Sequence, residues 1–159
     1  MKVKERKKQM QNEENIVTEL KQKFPYVADK IRIQRVRRIW VDVDYPKFAE
    51  VFDFAVKKLN FNSLCTITGL DENVNLSFLY HIARPDGVML NIKISVPKDN
   101  PTIKTITNYF PGAEVSEREL VDLFGAKVDG LKEGFRYPLT DDWPKDQYPL
   151  RKDWKGVTK

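Results

Sequence analysis

The sequence predicts an α+β fold: an antiparallel β-meander sheet covered by helices on one face, then a short C-terminal helix and an extended C-terminal tail. Three observations carry this. Apolar residues recur at helical spacing from Phe48 to Leu59. They alternate with polar residues over three successive stretches between Asn62 and Val96, joined by connections short enough to force antiparallel neighbours. After Gly130 no sustained period remains. With 159 residues the chain suits one domain with a real core plus tails.

Residues 1–24 read as a charged N-terminal helix with a thin apolar stripe, Ile16, Val17, Leu20 and Phe24, stopped by Pro25. From Ile31 to Val43 the alternation falls into two runs, Ile31/Ile33 and Ile39/Val41/Val43, and slips phase around Gln34 and Arg35, which predicts either a bulged strand or two short ones. Asp44 is placed to cap the next helix, with Pro46 in its first turn and Phe48, Val51, Phe52, Ala55 and Leu59 on its apolar face. Strands follow at Asn62–Leu70, Val74–Ala83 and Val88–Val96, each with one buried and one wetter face. The run Thr102–Asn108 suggests a helical turn or two, and the segment Ser116–Gly125 a short helix. The organisation expected is therefore a helix over 1–24, an α+β domain over 25–129 and a tail over 130–159. The tail carries prolines at 138, 144 and 149, yet also Phe135, Tyr137, Trp143, Tyr148 and Trp154. Disordered segments are poor in aromatics, so this one should lie against a surface, including one that belongs to another protein.

Composition closes off several functions. No apolar run approaches the ~18 residues of a membrane span, and the basic start lacks the apolar stretch of a signal peptide, so the chain is expected in the cytoplasm. A single cysteine, Cys65, and a single histidine, His81, exclude an internal disulfide and the soft ligand sets of zinc or iron–sulfur sites. Cys65 is expected as a small buried hydrophobe and His81 as a surface or edge residue. The net charge of +5 invites a nucleic-acid reading, but its excess sits in the first ten residues and in Arg32–Arg38, without exposed stacking aromatics, a GXXG loop or zinc spacing. The carboxylate pairs Asp141/Asp142 and Glu117/Glu119 stand beside no nucleophile, base or phosphate loop, so no catalytic residue is assigned.

The stretch VSERELVDLFGA concentrates the charges that need explaining. Ser116 and Glu119 have capping-box spacing, Glu117 suits the positive end of the helix dipole, and Leu120, Leu123 and Phe124 form the apolar face ended by Gly125. Arg118 fits none of these local rules. In the first turn it opposes the dipole, and Asp122 is its partner in the weaker orientation, which points to a contact beyond the helix, where bidentate pairing with a carboxylate is the chemistry Arg does best.

The segment SERELVDLFG followed by DDWPKDQYPLRKDW resembles the 30 kDa-type subunit family of complex I, the NADH:quinone oxidoreductase, and of the related energy-converting membrane-bound nickel–iron hydrogenases. The matching positions are Glu117, Arg118, Glu119, Asp122, Leu123, Phe124 and Gly125, then Pro149, Leu150, Arg151, Lys152 and Asp153. The resemblance implies a non-catalytic, metal-free peripheral-arm member of an ion-translocating complex on the cytoplasmic side of the membrane. Such a protein packs against the large catalytic subunit, with a small iron–sulfur subunit and other arm subunits nearby. Iron–sulfur clusters and the nickel–iron centre or quinone belong to those partners. Glu117, Arg118, Asp122, Phe124, Trp143, Tyr148, Pro149, Leu150, Arg151, Lys152, Asp153 and Trp154 are then expected at the partner surface, and Ser116, Glu119 and Gly125 as structural members of the motif. Val115 stands where the family often has tryptophan, and DGLKEGFRYPL replaces its G-H-P-D-L-R-R type segment. With the short C-terminal extension, these departures favour the hydrogenase branch over the respiratory one.

Overall fold

A computed structural model describes residues 2–156, with side chains from Asn12 onward. Residues 1 and 157–159 of the expected helix and tail lie outside the described residues. Helix α1 spans Lys2–Lys23. Its stripe is buried at Ile16 and Leu20, and Phe24, just beyond its end, is buried too. Pro25 opens a single 3-10 turn, Pro25–Val27. Strands β1 (Ile31–Arg35) and β2 (Arg38–Asp42) form an antiparallel hairpin whose register shifts between Ile33 and Arg35, where the apolar phase slips in the sequence. Helix α2 (Tyr45–Lys57) buries Phe48, Val51, Phe52 and Ala55. Asp44 precedes it without capping it through its side chain, because Lys30 Nζ takes the Asp44 carboxylate at 2.9 Å.

Strands β3 (Ser63–Asp71), β4 (Asn75–Ala83) and β5 (Met89–Pro97) complete a five-stranded sheet of order β1-β2-β5-β4-β3. The meander reading holds for β3, β4 and β5. It does not extend to the parallel pairing of β2 with β5, which places Ile39 opposite Leu90 and Val41 opposite Ile92. That pairing follows from a connection through α2 that carries the chain from β2 to the far edge of the sheet. Cys65 is exposed rather than buried, because the first residues of β3 lie uncovered on an edge strand. His81 is half-buried on the interior strand β4, with Nδ1 2.6 Å from Asn91 Oδ1.

The chain divides into two compact units, one of residues 1–65 and 79–94, the other of 66–78 and 95–159. The first has an aromatic centre in which Tyr80 lies 4.5 Å from Phe48 and 5.7 Å from Phe52, ring centroid to centroid. The second contains a βαβ element. Strand β6 (Thr102–Lys104) and strand β7 (Lys127–Asp129) pair in parallel, and helix α3 (Ala113–Phe124) crosses between them. The expected helical turns at Thr102–Asn108 are therefore corrected. Thr102 and Ile103 are β-branched, Ile103 is fully buried, and Lys127 donates to the Pro101 carbonyl at the start of the ladder.

Helix α3 starts three residues before Ser116. Its first N–H groups are taken by the carbonyls of Phe110 and Pro111, at 2.8 and 3.4 Å, so the turn FPGA enters the helix with no side-chain cap. The capping-box roles of Ser116 and Glu119 are corrected accordingly: both lie within the helix, away from its open end. Gly125 closes it in the left-handed conformation, φ 69°, donating to Leu120 and Val121 carbonyls.

Candidate functional site

With the helix starting at Ala113, the charges of α3 acquire partners within the second unit. Glu117 is buried and accepts from Thr105 Oγ1 at 2.6 Å and the Ile106 N–H at 2.7 Å, tying the helix to the segment after β6. Burial pushes its carboxyl up, an effect that those two donors oppose and Glu114 reinforces.

Arg118 stands one turn after Glu114, in the favourable i,i+4 order, and its Nη2 meets Glu114 Oε1 at 2.8 Å. The same guanidinium donates to the carbonyls of Lys132 at 2.9 Å and Phe135 at 3.1 Å, and the Phe135 ring lies 5.1 Å from it. Gly134 completes the turn: a Cβ there would come 2.4 Å from Arg118 Nη2. The expectation that Arg118 reaches a carboxylate of another protein is corrected. It is buried, and its donors shape the first turn of its own tail.

Asp122 does the same one turn further on. It accepts from the Leu139 N–H at 3.3 Å and lies 3.5 Å from Arg136 Nε, while Arg136 Nη1 donates to Trp143 O at 2.7 Å and Trp143 Nε1 to Gln147 O at 2.8 Å. Phe124 is buried against Gly69, where a Cβ would fall 2.4 Å from its ring. Glu117, Asp122 and Phe124 thus face inward, and none of them offers a free surface.

The PLRKD segment is anchored in the same manner. The Leu150 N–H donates to Leu123 O at 3.1 Å, and Arg151 Nε donates to Phe124 O at 2.6 Å, a cation at the negative end of α3. The guanidinium also lies 4.6 Å from the Tyr148 ring, and Gly125 leaves room for both, since a Cβ would come 2.6 Å from that ring. Arg151 thus spends one of its five donors, Nε, on a carbonyl of its own chain. Lys152 donates its N–H to Asp71 Oδ2 at 2.7 Å, and Lys98 bridges Asp71 and Asp153 at 2.7 and 2.9 Å. Burial works against ionisation of Asp71. The Lys98 ammonium and the N–H groups of Lys152 and Asn73 outweigh it and hold the carboxyl at about 2.

Several apolar side chains remain outward, among exposed charged ones such as Lys152 and Asp153. Phe135 is 67% exposed and Leu150 52%, with Val115 and Tyr137 also open. Pro149, Trp143, Tyr148 and Trp154 are half-buried, the two tryptophans 6.1 Å apart. An open groove of about 570 Å³ is lined by Val74, Pro97, Lys98, Arg151 and Asp153. Among the described residues no three His, Cys, Asp or Glu side chains are grouped to hold a metal ion. Sequence reasoning missed Glu114, Thr105, Asp71 and Lys98. The spacing of Glu114 and Arg118 becomes legible once the helix is started at Ala113, after Pro111-Gly112, whereas Asp71 and Lys152, 81 residues apart, leave no local signal.

Residues 41–159 match the family described as respiratory-chain NADH dehydrogenase, 30 Kd subunit. The chain is 31% identical to membrane-bound hydrogenase subunit beta of Pyrococcus furiosus over 156 residues, covering 93% of this chain and 89% of that one. It is 33% identical to an F(420)H(2) dehydrogenase subunit of Methanosarcina mazei over 144 residues, covering 89% and 90%. A chain in the solved structure of the membrane-bound sulfane sulfur reductase, an archaeal respiratory membrane complex, superposes with a TM-score of 0.75 at 27% identity, covering 89% of this chain and 84% of that one.

Proposed function

Because the chain belongs to the family of the 30 kDa subunit of respiratory-chain NADH dehydrogenase, we propose that it is a non-catalytic subunit in the peripheral arm of a complex I-like, ion-translocating membrane oxidoreductase. It braces the large catalytic subunit, beside a small iron–sulfur subunit, on the cytoplasmic side of the membrane. The observation that carries this reading is the match, over about nine-tenths of each chain, to a membrane-bound hydrogenase subunit and an F(420)H(2) dehydrogenase subunit. No helix among the described residues is long and apolar enough to cross a membrane, which accords with attachment through the complex. Iron–sulfur clusters, and the nickel–iron centre or quinone, belong to the partners.

The match to a hydrogenase subunit favours the ferredoxin-dependent nickel–iron hydrogenase branch. The family's own description supports the second reading, the 30 kDa-type subunit of a respiratory NADH:quinone oxidoreductase. In both, the charges of α3 act by holding the tail in shape, and the apolar side chains left outside meet the large subunit. Phe135→Asp and Leu150→Asp should each weaken assembly by about 1–3 kcal/mol while leaving the isolated chain's melting temperature nearly unchanged. A tagged chain isolated from its own membranes in mild detergent should carry a nickel–iron large subunit and an iron–sulfur small subunit in equal amounts. A quinone-site large subunit without nickel selects the second reading, and a chain that purifies alone or with RNA overturns both.

A further inference from the structure

A second feature lies in the other unit, at the tip of the β1–β2 hairpin, whose sequence IRIQRVRR carries four arginines. Arg32 and Lys30 are already engaged, with Asp42 at 3.5 Å and Asp44 at 2.9 Å. Arg35, Arg37 and Arg38 have no carboxylate partner among the described residues, and between them Val36 is 40% exposed. The tip is also held rigidly. Arg37 has φ 62°, a conformation that glycine adopts at least cost, yet the position is an arginine. Its backbone is fixed from both sides: the fully buried carboxylate of Glu13 on α1 accepts the Arg37 N–H, while the Arg37 carbonyl accepts from Met89 N–H at 3.0 Å and Arg38 Nη1 at 3.1 Å. Backbone strain kept in place by a buried side chain, with the Arg37 guanidinium meeting no carboxylate among the described residues, is the arrangement of a preorganised contact.

We propose that this hairpin tip is a docking site for the acidic face of a soluble protein that binds transiently, with Arg35 and Arg37 pairing its carboxylates around Val36. Guanidinium forks suit carboxylates bidentately, and a rim of charge around a small apolar centre gives fast, salt-sensitive association rather than a permanent interface, which is larger and more apolar. Nucleic acid fits less well, because the nearby aromatic, Trp40, is covered by the Arg32 guanidinium at 5.3 Å and offers no open face for a base. A lipid surface fits less well because a single exposed valine supplies too little apolar area to insert.

The test places p-benzoylphenylalanine at position 36 of the full chain in its native host and maps the adducts formed on irradiation. The expected adduct is an Asp/Glu-rich segment of a soluble protein. Its yield should fall at least tenfold in 0.5 M salt, expected from charge screening over about a Debye length, and at least tenfold in the Arg35→Gln, Arg37→Gln variant at unchanged melting temperature, with only part of it restored by Lys at both positions, which keeps the charge but not the bidentate fork. If the Gln pair unfolds the chain, the salt dependence of the unmodified sequence decides. Adducts to RNA, lipid, a salt-resistant subunit or a segment without acidic residues, or no adduct at all, overturn the proposal. None of these results touches the subunit reading, which rests on other residues.

Discussion

Arg118→Ala would leave the Lys132 and Phe135 carbonyls and the Glu114 carboxylate without their shared donor. Hydrogen bonds from a charged donor are worth roughly 1.5–3 kcal/mol, so the variant should lower the stability of the free chain by about that much in urea unfolding. Arg118→Lys should not restore it, since an ammonium cannot serve three acceptors from the plane of a guanidinium. An unchanged midpoint would return Arg118 to the surface role suggested by its sequence position. Asp71 makes a pH prediction. Its folded value of about 2 lies below the ordinary 3.8, so its contribution is fully present above about pH 4 and is lost as the pH falls through 2. Acid unfolding of Asp71→Asn, followed by circular dichroism, should therefore be flatter over that window than that of the parent chain.

Helix α3 shows where an element is legible in sequence and where it is not. Its apolar face, its last turn and Gly125 follow from spacing and from the need for φ 69°. Its start does not, because backbone carbonyls of Phe110 and Pro111 perform the capping expected of a serine. Ser116→Ala and Glu119→Ala should accordingly change stability by only about 0.5 kcal/mol or less, the ordinary range for substitutions away from a cap. Gly125→Ala should cost more than about 1 kcal/mol, since it adds a strained φ to a contact of 2.6 Å with the Tyr148 ring. Thermal melts of the three variants separate the two accounts. Strand β6 escapes sequence reading for a related reason: three residues carry no period, and only its pairing with β7, far along the chain, makes Thr102–Lys104 a strand.

Across the whole molecule, the layout of the long strands, α2 and the irregular tail is legible because each rests on local periodicity or its absence. The candidate site is legible as a set of residues but not in its direction. Arg118 stands out as a charge that local rules do not explain, Glu117, Asp122 and Arg151 enter through the family motif, and only tertiary structure decides that Glu117, Arg118 and Asp122 face their own chain. Amide exchange offers the test at this scale. The N–H groups of Leu150 and Lys152 donate to Leu123 and Asp71, so they should exchange slowly in the free chain, as slowly as the last turn of α3. Rapid exchange there would mean that the segment docks only on a partner. The Asp71 to Lys152 bond also has a consequence in time. The carboxylate and its N–H donor are separated by 81 residues. At roughly 5–20 residues per second, about 4–16 seconds of translation pass between their synthesis. During that interval most of the second unit is still being made, so Asp71 waits without its Lys152 donor until the PLRKD segment has left the ribosome.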